Sequence, residues 1–333
     1  MSATTNSGAL LEKAILTVFQ GRAGDHNNLA IPGAAAVATT ISGRLDLPVE
    51  IIGSPEQALN TDWRPELDAA TPVLQAMSLH YASIFASGMR PLTVLTRCAV
   101  ALTTLPVVAR NRPDACIVWL DAHAHLNTPE TSTSGYLGGM AISGAAGPWD
   151  SGLGGQLALS NVILVGARDI DPAERDLIDA VGLQVVSPHG DIVAKMVDAI
   201  ASRPVYVHLD CDVLDAGIMP SDYEIEGGLT LTELRRVAEA LATCEIVGVE
   251  VTEFQSAWEK DGKPVSPAKR LDSLGLFIAY FGSYRRLKLL TGITISNILT
   301  VMNIGSANII RRRRCMTVQR GALILRWREF TEG

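Results

Sequence analysis

The sequence predicts an α/β fold, a three-layer α/β/α arrangement with a doubly wound, mainly parallel central sheet. Three observations predict it. First, short apolar runs recur along the chain and are continuous, not alternating: AILTVF (14–19), VEIIG (49–53), LTVL (92–95), ACIVWL (115–120), NVILVG (161–166), PVYVHL (204–209) and EIVGVEV (245–251). Continuous apolar strands are covered on both faces, as in parallel sheets. Second, helix-like segments lie between them. Segment 172–181 opens on Pro172, which suits a first helical turn. Segment 230–243 opens on Thr230 with Glu233 three residues on, the spacing of a capping box. Third, acidic residues follow the strands: Asp121, Asp169, Asp210 and Glu253. In open parallel sheets ligands bind beyond the carboxyl ends of the strands, so these positions converge on a site.

The chain has 333 residues, which fits one large α/β domain or two ordinary ones. Hydrophobic residues make up 47% and charged residues 19%, a globular composition. A net charge of −7 and a pI near 5.4 argue against nonspecific nucleic-acid binding. Cys98, Cys116, Cys211, Cys244 and Cys315 are odd in number and widely spaced. They suggest no disulfide framework, and a reducing, cytoplasmic setting is expected. The N-terminal residues lack a basic, then long apolar, signal pattern, and no uncharged apolar stretch is long enough for a membrane span. Residues 281–333 differ in character. YRRLKLL, an apolar stretch at 292–305 and RRRR at 311–314 make this an atypical basic C-terminal extension. It is expected to be a surface-packed or frayed tail, with an oligomer or acidic-partner contact as the sharper alternative.

Two motifs carry the chemistry. Asp121-Ala122-His123-Ala124-His125 follows one buried strand, and Asp210-Cys211-Asp212 follows another. Side chains two apart on extended backbone point to one side, so each motif can face one site. Carboxylates gathered in this way repel one another and need hydrogen bonds or a cation. Together the motifs predict bound divalent metal.

These motifs resemble those of the arginase/agmatinase (ureohydrolase) family, which carries Asp-Ala-His-x-Asp on one strand end and Ser-x-Asp-x-Asp on another. Here the segments read DAHAHLNTPETSTSG from Asp121 and HLDCDVLDAG from His208. The likeness continues in GARDIDP (166–172), GGLT (227–230) and VGVEVTEF (247–254), and covers roughly residues 10–280. The resemblance implies a single arginase-like domain over 1–280 and two divalent metal ions. Asp121 and Asp210 would bridge them. His123 and Asp212 would complete one site, and His125 and Cys98 the other. The last two stand where the family usually has Asp and His, and Leu95-Thr96-Arg97 stands for its Gly-Gly-Asp. The two ligand exchanges cancel in formal charge if Cys98 binds as thiolate. Manganese is implied by resemblance; thiolate and imidazole would also suit zinc or iron. Arg97 would oppose nearby cations unless it turns away or pairs with an acid.

The resemblance also implies a substrate site. Asn127 and Ser134 would bind an α-carboxylate, Asp171 an α-amino group, and Glu253 a planar guanidinium. Asp171, before Pro172, could equally cap a helix. The implied reaction is hydrolysis of a guanidino group to urea and an amine, with Asp212 handling a proton. A proton-shuttle His of arginases is replaced by Gly138, which favours a substrate with a better leaving group, such as N-hydroxyarginine. Asp222, Tyr223 and Glu224 either reshape the pocket or are solvated loop residues. The expected partners are a small guanidino compound and other copies of the chain, as a trimer or hexamer. The alternatives are a catalytically silent relative serving as a subunit, given Arg97, His125 and Gly138, and a different amide-cleaving metallohydrolase on the same scaffold.

Overall fold

The structure, a computed structural model, describes residues 14–268; the extension at 281–333 lies outside the described residues. Strands and helices alternate in the order β1 (Ala14–Phe19), α1 (Ala30–Leu45), β2 (Val49–Ile52), α2 (Trp63–Ala86), β3 (Arg90–Val94), α3 (Ala101–Asn111), β4 (Cys116–Leu120), α4 (Ala141–Ala146), β5 (Val162–Val165), α5 (Pro172–Val181), β6 (Gln184–Val186), α6 (Ile192–Ile200), β7 (Val205–Asp210), α7 (Leu231–Leu241) and β8 (Ile246–Thr252). The strands form one eight-stranded sheet, β2-β1-β3-β8-β7-β4-β5-β6. Every pairing in it is parallel.

Each apolar run from the sequence becomes a strand, and all but the edge strand β2, where Ile51 is 60% exposed, are covered on both faces. On one face Val37 and Ile41 of α1, Met196 of α6 and Leu234, Val237 and Leu241 of α7 pack on Val94, Val118 and Val207. On the other, Leu74 and Met77 of α2, Leu102 and Leu105 of α3 and Ile142 of α4 pack around Ile117, Trp119 and Tyr206. Burying one such large side chain is worth about 1.5–3 kcal/mol, so the layered arrangement follows from the pattern. The Thr230 cap forms as the spacing requires: Glu233 N donates to Thr230 Oγ1 at 3.2 Å, and Thr230 N donates to the Glu233 carboxylate at 2.9 Å. Strand β6 is the element the sequence did not announce. It is three residues long, on the sheet edge, with Val185 39% exposed, so no continuous apolar run marks it.

The topology decides where the site lies. Strands β3, β8, β7 and β4 are consecutive neighbours in the sheet, although β3 and β4 lie far along the sequence from β7 and β8. Their carboxyl ends deliver Cys98, Glu253, Asp210 with Asp212, and Asp121 with His123 and His125 to one edge. Among the described residues no helix is long and apolar enough to cross a membrane.

Candidate metal centre and substrate pocket

Asp121, His125, Asp210 and Cys98 converge so that one ligand atom from each lies within 4.8 Å of the others, and Asp121, His123 and Asp212 do the same. The backbone prepares each carboxylate in the same way. Asp121 Oδ1 accepts from His123 N at 2.7 Å, Asp210 Oδ1 from Asp212 N at 2.8 Å, and Asp212 Oδ1 from Ala122 N at 3.0 Å. The second oxygen of each carboxylate is turned toward the other donors. Asp210 Oδ2 lies 2.9 Å from Cys98 Sγ, and Asp212 Oδ2 lies 3.0 Å from His123 Nδ1. Asp210 groups with Cys98, Asp121 and His125 and not with His123, whereas the resemblance implies that it bridges both groups.

His125 reaches the site by a route that strand geometry alone does not give. Strand β4 ends at Leu120, and His125 sits in the left-handed region at φ 53°. Such a conformation in a non-glycine residue is costly and collects at functional sites. Its Nδ1 lies 2.6 Å from the Gly138 carbonyl and can donate to it, which leaves a lone pair on Nε2. That Nε2 is 2.9 Å from Asp121 Oδ2, yet out of line for a hydrogen bond, so this buried nitrogen has no hydrogen-bond partner. A buried, oriented, unpartnered imidazole nitrogen beside carboxylate oxygens is what a cation would satisfy. Burial pushes the Asp210 carboxyl well above the usual range, and Asp212 and Asp121 add to it. Burial, then Asp210 and Asp121, push the Cys98 thiol up in the same way. Bound cations act in the opposite sense on both groups, and this donor set fits two of them.

A further layer lies beneath Cys98. Its Sγ is 3.3 Å from His208 Nε2, and His208 Nδ1 is 2.6 Å from Glu250 Oε1. Tyr206 and Thr104 donate to the other Glu250 oxygen, and the His208 ring stacks on Trp119 at 3.4 Å. Neither His208 nor Glu250 stood out in the sequence, because each sits inside an apolar strand run. The signal available was a charge at 250 within a fully buried strand.

Above the donors opens a cleft of about 200 Å³, lined among others by Asn127, Ser134, Asp171, Tyr136, Tyr223 and Glu253. All the residues expected to hold a substrate therefore face one space. Asn127 Nδ2 donates to Asp171 Oδ2 at 2.8 Å, so the expected carboxylate and ammonium contacts are tied together. Asp171 is also the residue that caps α5, and its amide donates to Glu174 at 2.9 Å. Cap and pocket position coincide.

Arg97 turns away from the donors. Its guanidinium is fully buried, with Nε 3.0 Å from Asp25 Oδ1 and Nη1 2.7 Å from Glu253 Oε2 and 3.3 Å from an Asp222 oxygen. Leu95 and Thr96, which replace glycines of the resembling family, adopt no left-handed backbone here. Glu253, itself at φ 65°, also accepts from Cys98 N at 2.8 Å. Asp222 is not a solvated loop residue. Only 5% of its side chain is exposed, and it binds His26 at 2.7 Å, Asn27 and Gln255 as well. Its buried charge is compensated by Arg97 and by hydrogen bonds from His26, Asn27 and Gln255. Asp25 and His26 were invisible in the sequence, since they lie in a loop without a motif. Gly138 is explained by Tyr136: a Cβ there would stand 2.5 Å from the Tyr136 ring. The phenol fills the space of a side chain at 138, and its hydroxyl reaches Glu253 at 3.5 Å.

Comparison with known proteins agrees with this geometry. A family model described as the arginase family matches residues 24–271. An N(omega)-hydroxy-L-arginine amidinohydrolase of Streptomyces lavendulae is 38% identical over 257 residues, covering 77% of this chain and 94% of that protein. A hepatic arginase of Aquarana catesbeiana is 27% identical over 65% of this chain and 72% of its own length. The crystal structure of arginase from Bacillus cereus superposes with a TM-score of 0.70 at 24% identity, over 81% of this chain and 99% of that one. With the matched segment spanning most of the sequence and the strand-end motifs in place, the chain belongs to the arginase family.

Proposed function

We propose that the protein is a ureohydrolase that cleaves the guanidino group of an arginine-like amino acid, N-hydroxyarginine in preference to arginine, to urea and an amine. The observation that carries this reading is the pair of donor groups sharing Asp121 directly beneath a cleft that Asn127, Ser134, Asp171 and Glu253 line. Cys98, Asp121, His125 and Asp210 would hold one divalent cation, and Asp121, His123 and Asp212 the other. When bound, the two cations supply Lewis acidity and an activated water. The remaining work belongs to the chain. Asn127 and Ser134 offer neutral donors to an α-carboxylate, and Asp171 offers an anion to an α-ammonium. Glu253 orients the guanidino plane, and Asp212, with one oxygen fixed by the Ala122 amide, is placed to accept and return a proton. Tyr136 occupies the position of a shuttle side chain at 138. A leaving group that needs less protonation suits that arrangement, and the Streptomyces relative, an N-hydroxyarginine amidinohydrolase, supports it.

The same reading includes manganese as the metal, with zinc or iron favoured at the Cys98 group by its softer donors. It also includes a homo-oligomer of three or six chains in the cytoplasm. Urea release from N-hydroxyarginine, arginine, agmatine and guanidinobutyrate tests the function. The expected order places N-hydroxyarginine first. Neither bound cations nor urea would instead favour a silent subunit, and bound cations without urea from any of them a different metallohydrolase.

A further inference from the structure

Arg97 presents a chemical puzzle that the hydrolytic reaction does not use. It is a guanidinium, fully buried, bonded to the carboxylate expected to receive the substrate's guanidinium. Arginine stays charged at every relevant pH. The groups facing it are Asp25 from the loop after β1, Asp222 from the loop before α7, Glu253 after β8, the Tyr136 hydroxyl, and His26 through Asp222. Its Nη2 is buried without a hydrogen-bond partner, so the placement is not the cheapest way to fill the space. Glu253 lines the cleft, whereas Arg97 lies behind it.

We propose that Arg97 is a specificity-determining residue: its fixed positive charge on Glu253 makes the cleft select a weakly basic, neutral N-hydroxyguanidine over a fully protonated guanidinium. The argument is electrostatic. A guanidinium entering the cleft meets a carboxylate that Arg97 already bonds at 2.7 Å, so the two cations would have to share it. Two like charges sharing one carboxylate repel each other, and the donor groups beneath add no free anion once they hold cations. A neutral N-hydroxyguanidine keeps an N–H donor for Glu253 Oε2, which accepts from Arg97 and has a second lone pair, and escapes the repulsion. The electron-withdrawing hydroxyl lowers the basicity of the guanidine, so such a substrate reaches the neutral form near neutral pH. Asp25 and Asp222 share Arg97 with Glu253, and Asp222 bonds His26 in turn.

The inference rests on the hydrolase reading but fails separately from it. The test compares the wild type with an Arg97→Gln/Asp25→Asn double variant, which removes one charge of each sign and leaves the net charge of the cluster unchanged. Both are loaded with manganese and assayed for kcat/KM on N-hydroxyarginine and on arginine. The preference for N-hydroxyarginine should fall by about tenfold or more, chiefly through a lower KM for arginine. Arg97→Lys, which keeps the charge, should retain most of the preference. An unchanged ratio in a folded, metal-loaded double variant overturns the inference. Should the double variant not fold, the wild type alone decides: its KM for N-hydroxyarginine should rise as the pH falls through the substrate's own titration, and a falling KM overturns the proposal. If no urea forms from any substrate, the hydrolase reading fails. Thermal-shift titration of the wild type with the two amino acids then decides, N-hydroxyarginine binding tighter if the inference holds and equal or weaker if it does not.

Discussion

The two sides of the cleft hold similar surpluses of carboxylate and resolve them differently. On one side Asp121, Asp210 and Asp212 each give one oxygen to a backbone amide and turn the other toward Cys98, His123 and His125. No Lys or Arg side chain reaches these carboxylate oxygens among the described ion pairs and side-chain hydrogen bonds. On the other side Asp25, Asp222 and Glu253 surround Arg97, and Asp222 also pairs with His26, so the chain itself supplies counter-charge. Buried anions require a counter-charge in either case. The difference teaches where the chain brings its own cation to buried carboxylates and where it leaves them to an external one.

The comparison breaks first if the donor side tolerates the loss of metal. Stripping with a chelator should lower urea release by about a thousandfold or more, given the several kcal/mol that metal ions contribute. Adding back manganese should restore it. Survival of activity in metal-free protein would contradict the contrast. A smaller effect is expected beneath the donors. Glu250→Gln keeps the shape of the group that fixes His208 but removes its charge. Metal affinity at the Cys98 group should drop by about tenfold, the lower end of what outer partners contribute, as read by competition with a fluorescent chelator.

Much of this was legible in the sequence because it depends on local pattern. The apolar runs marked β1, β3, β4, β5, β7 and β8, since a strand covered on both faces is apolar nearly throughout, and a shorter run marked the edge strand β2. Asp121, His123, Asp210 and Asp212 stood out because each follows such a run. What stayed hidden depends on long-range packing. Arg97 read as a hazard to the site until Asp25, Asp222 and Glu253, from three other segments, were seen around it. Asp222 read as either a pocket residue or a solvated one because nothing local shows which charge it faces. Gly138 read as a lost side chain, and only the position of Tyr136 shows what replaced it.

Two weaker effects sharpen the Arg97 side. Gly138→Ala should push Tyr136 off Glu253 and lower kcat/KM by about tenfold, within what a displacement of about 1 Å can cost. Unchanged kinetics would show that Tyr136 only fills space. The smallest effect is on stability. The hydrogen bond to Asp222 raises the His26 pKa from its ordinary value of 6.5. Folding therefore favours protonated His26, and the contribution is complete below that value and disappears as pH climbs through the raised one. The Tm gap between wild type and His26→Gln should be widest at mildly acidic pH and close toward alkaline pH. A gap that widens with pH would reverse the sign of that pairing.

The most direct measurement is elemental analysis of the purified wild type beside Asp210→Ala. The wild type should carry about two divalent ions per chain, the count expected of a paired-metal hydrolytic site. The variant should carry fewer while keeping its fold by circular dichroism. Equal metal content in the two proteins, or none in an active wild type, would contradict the account.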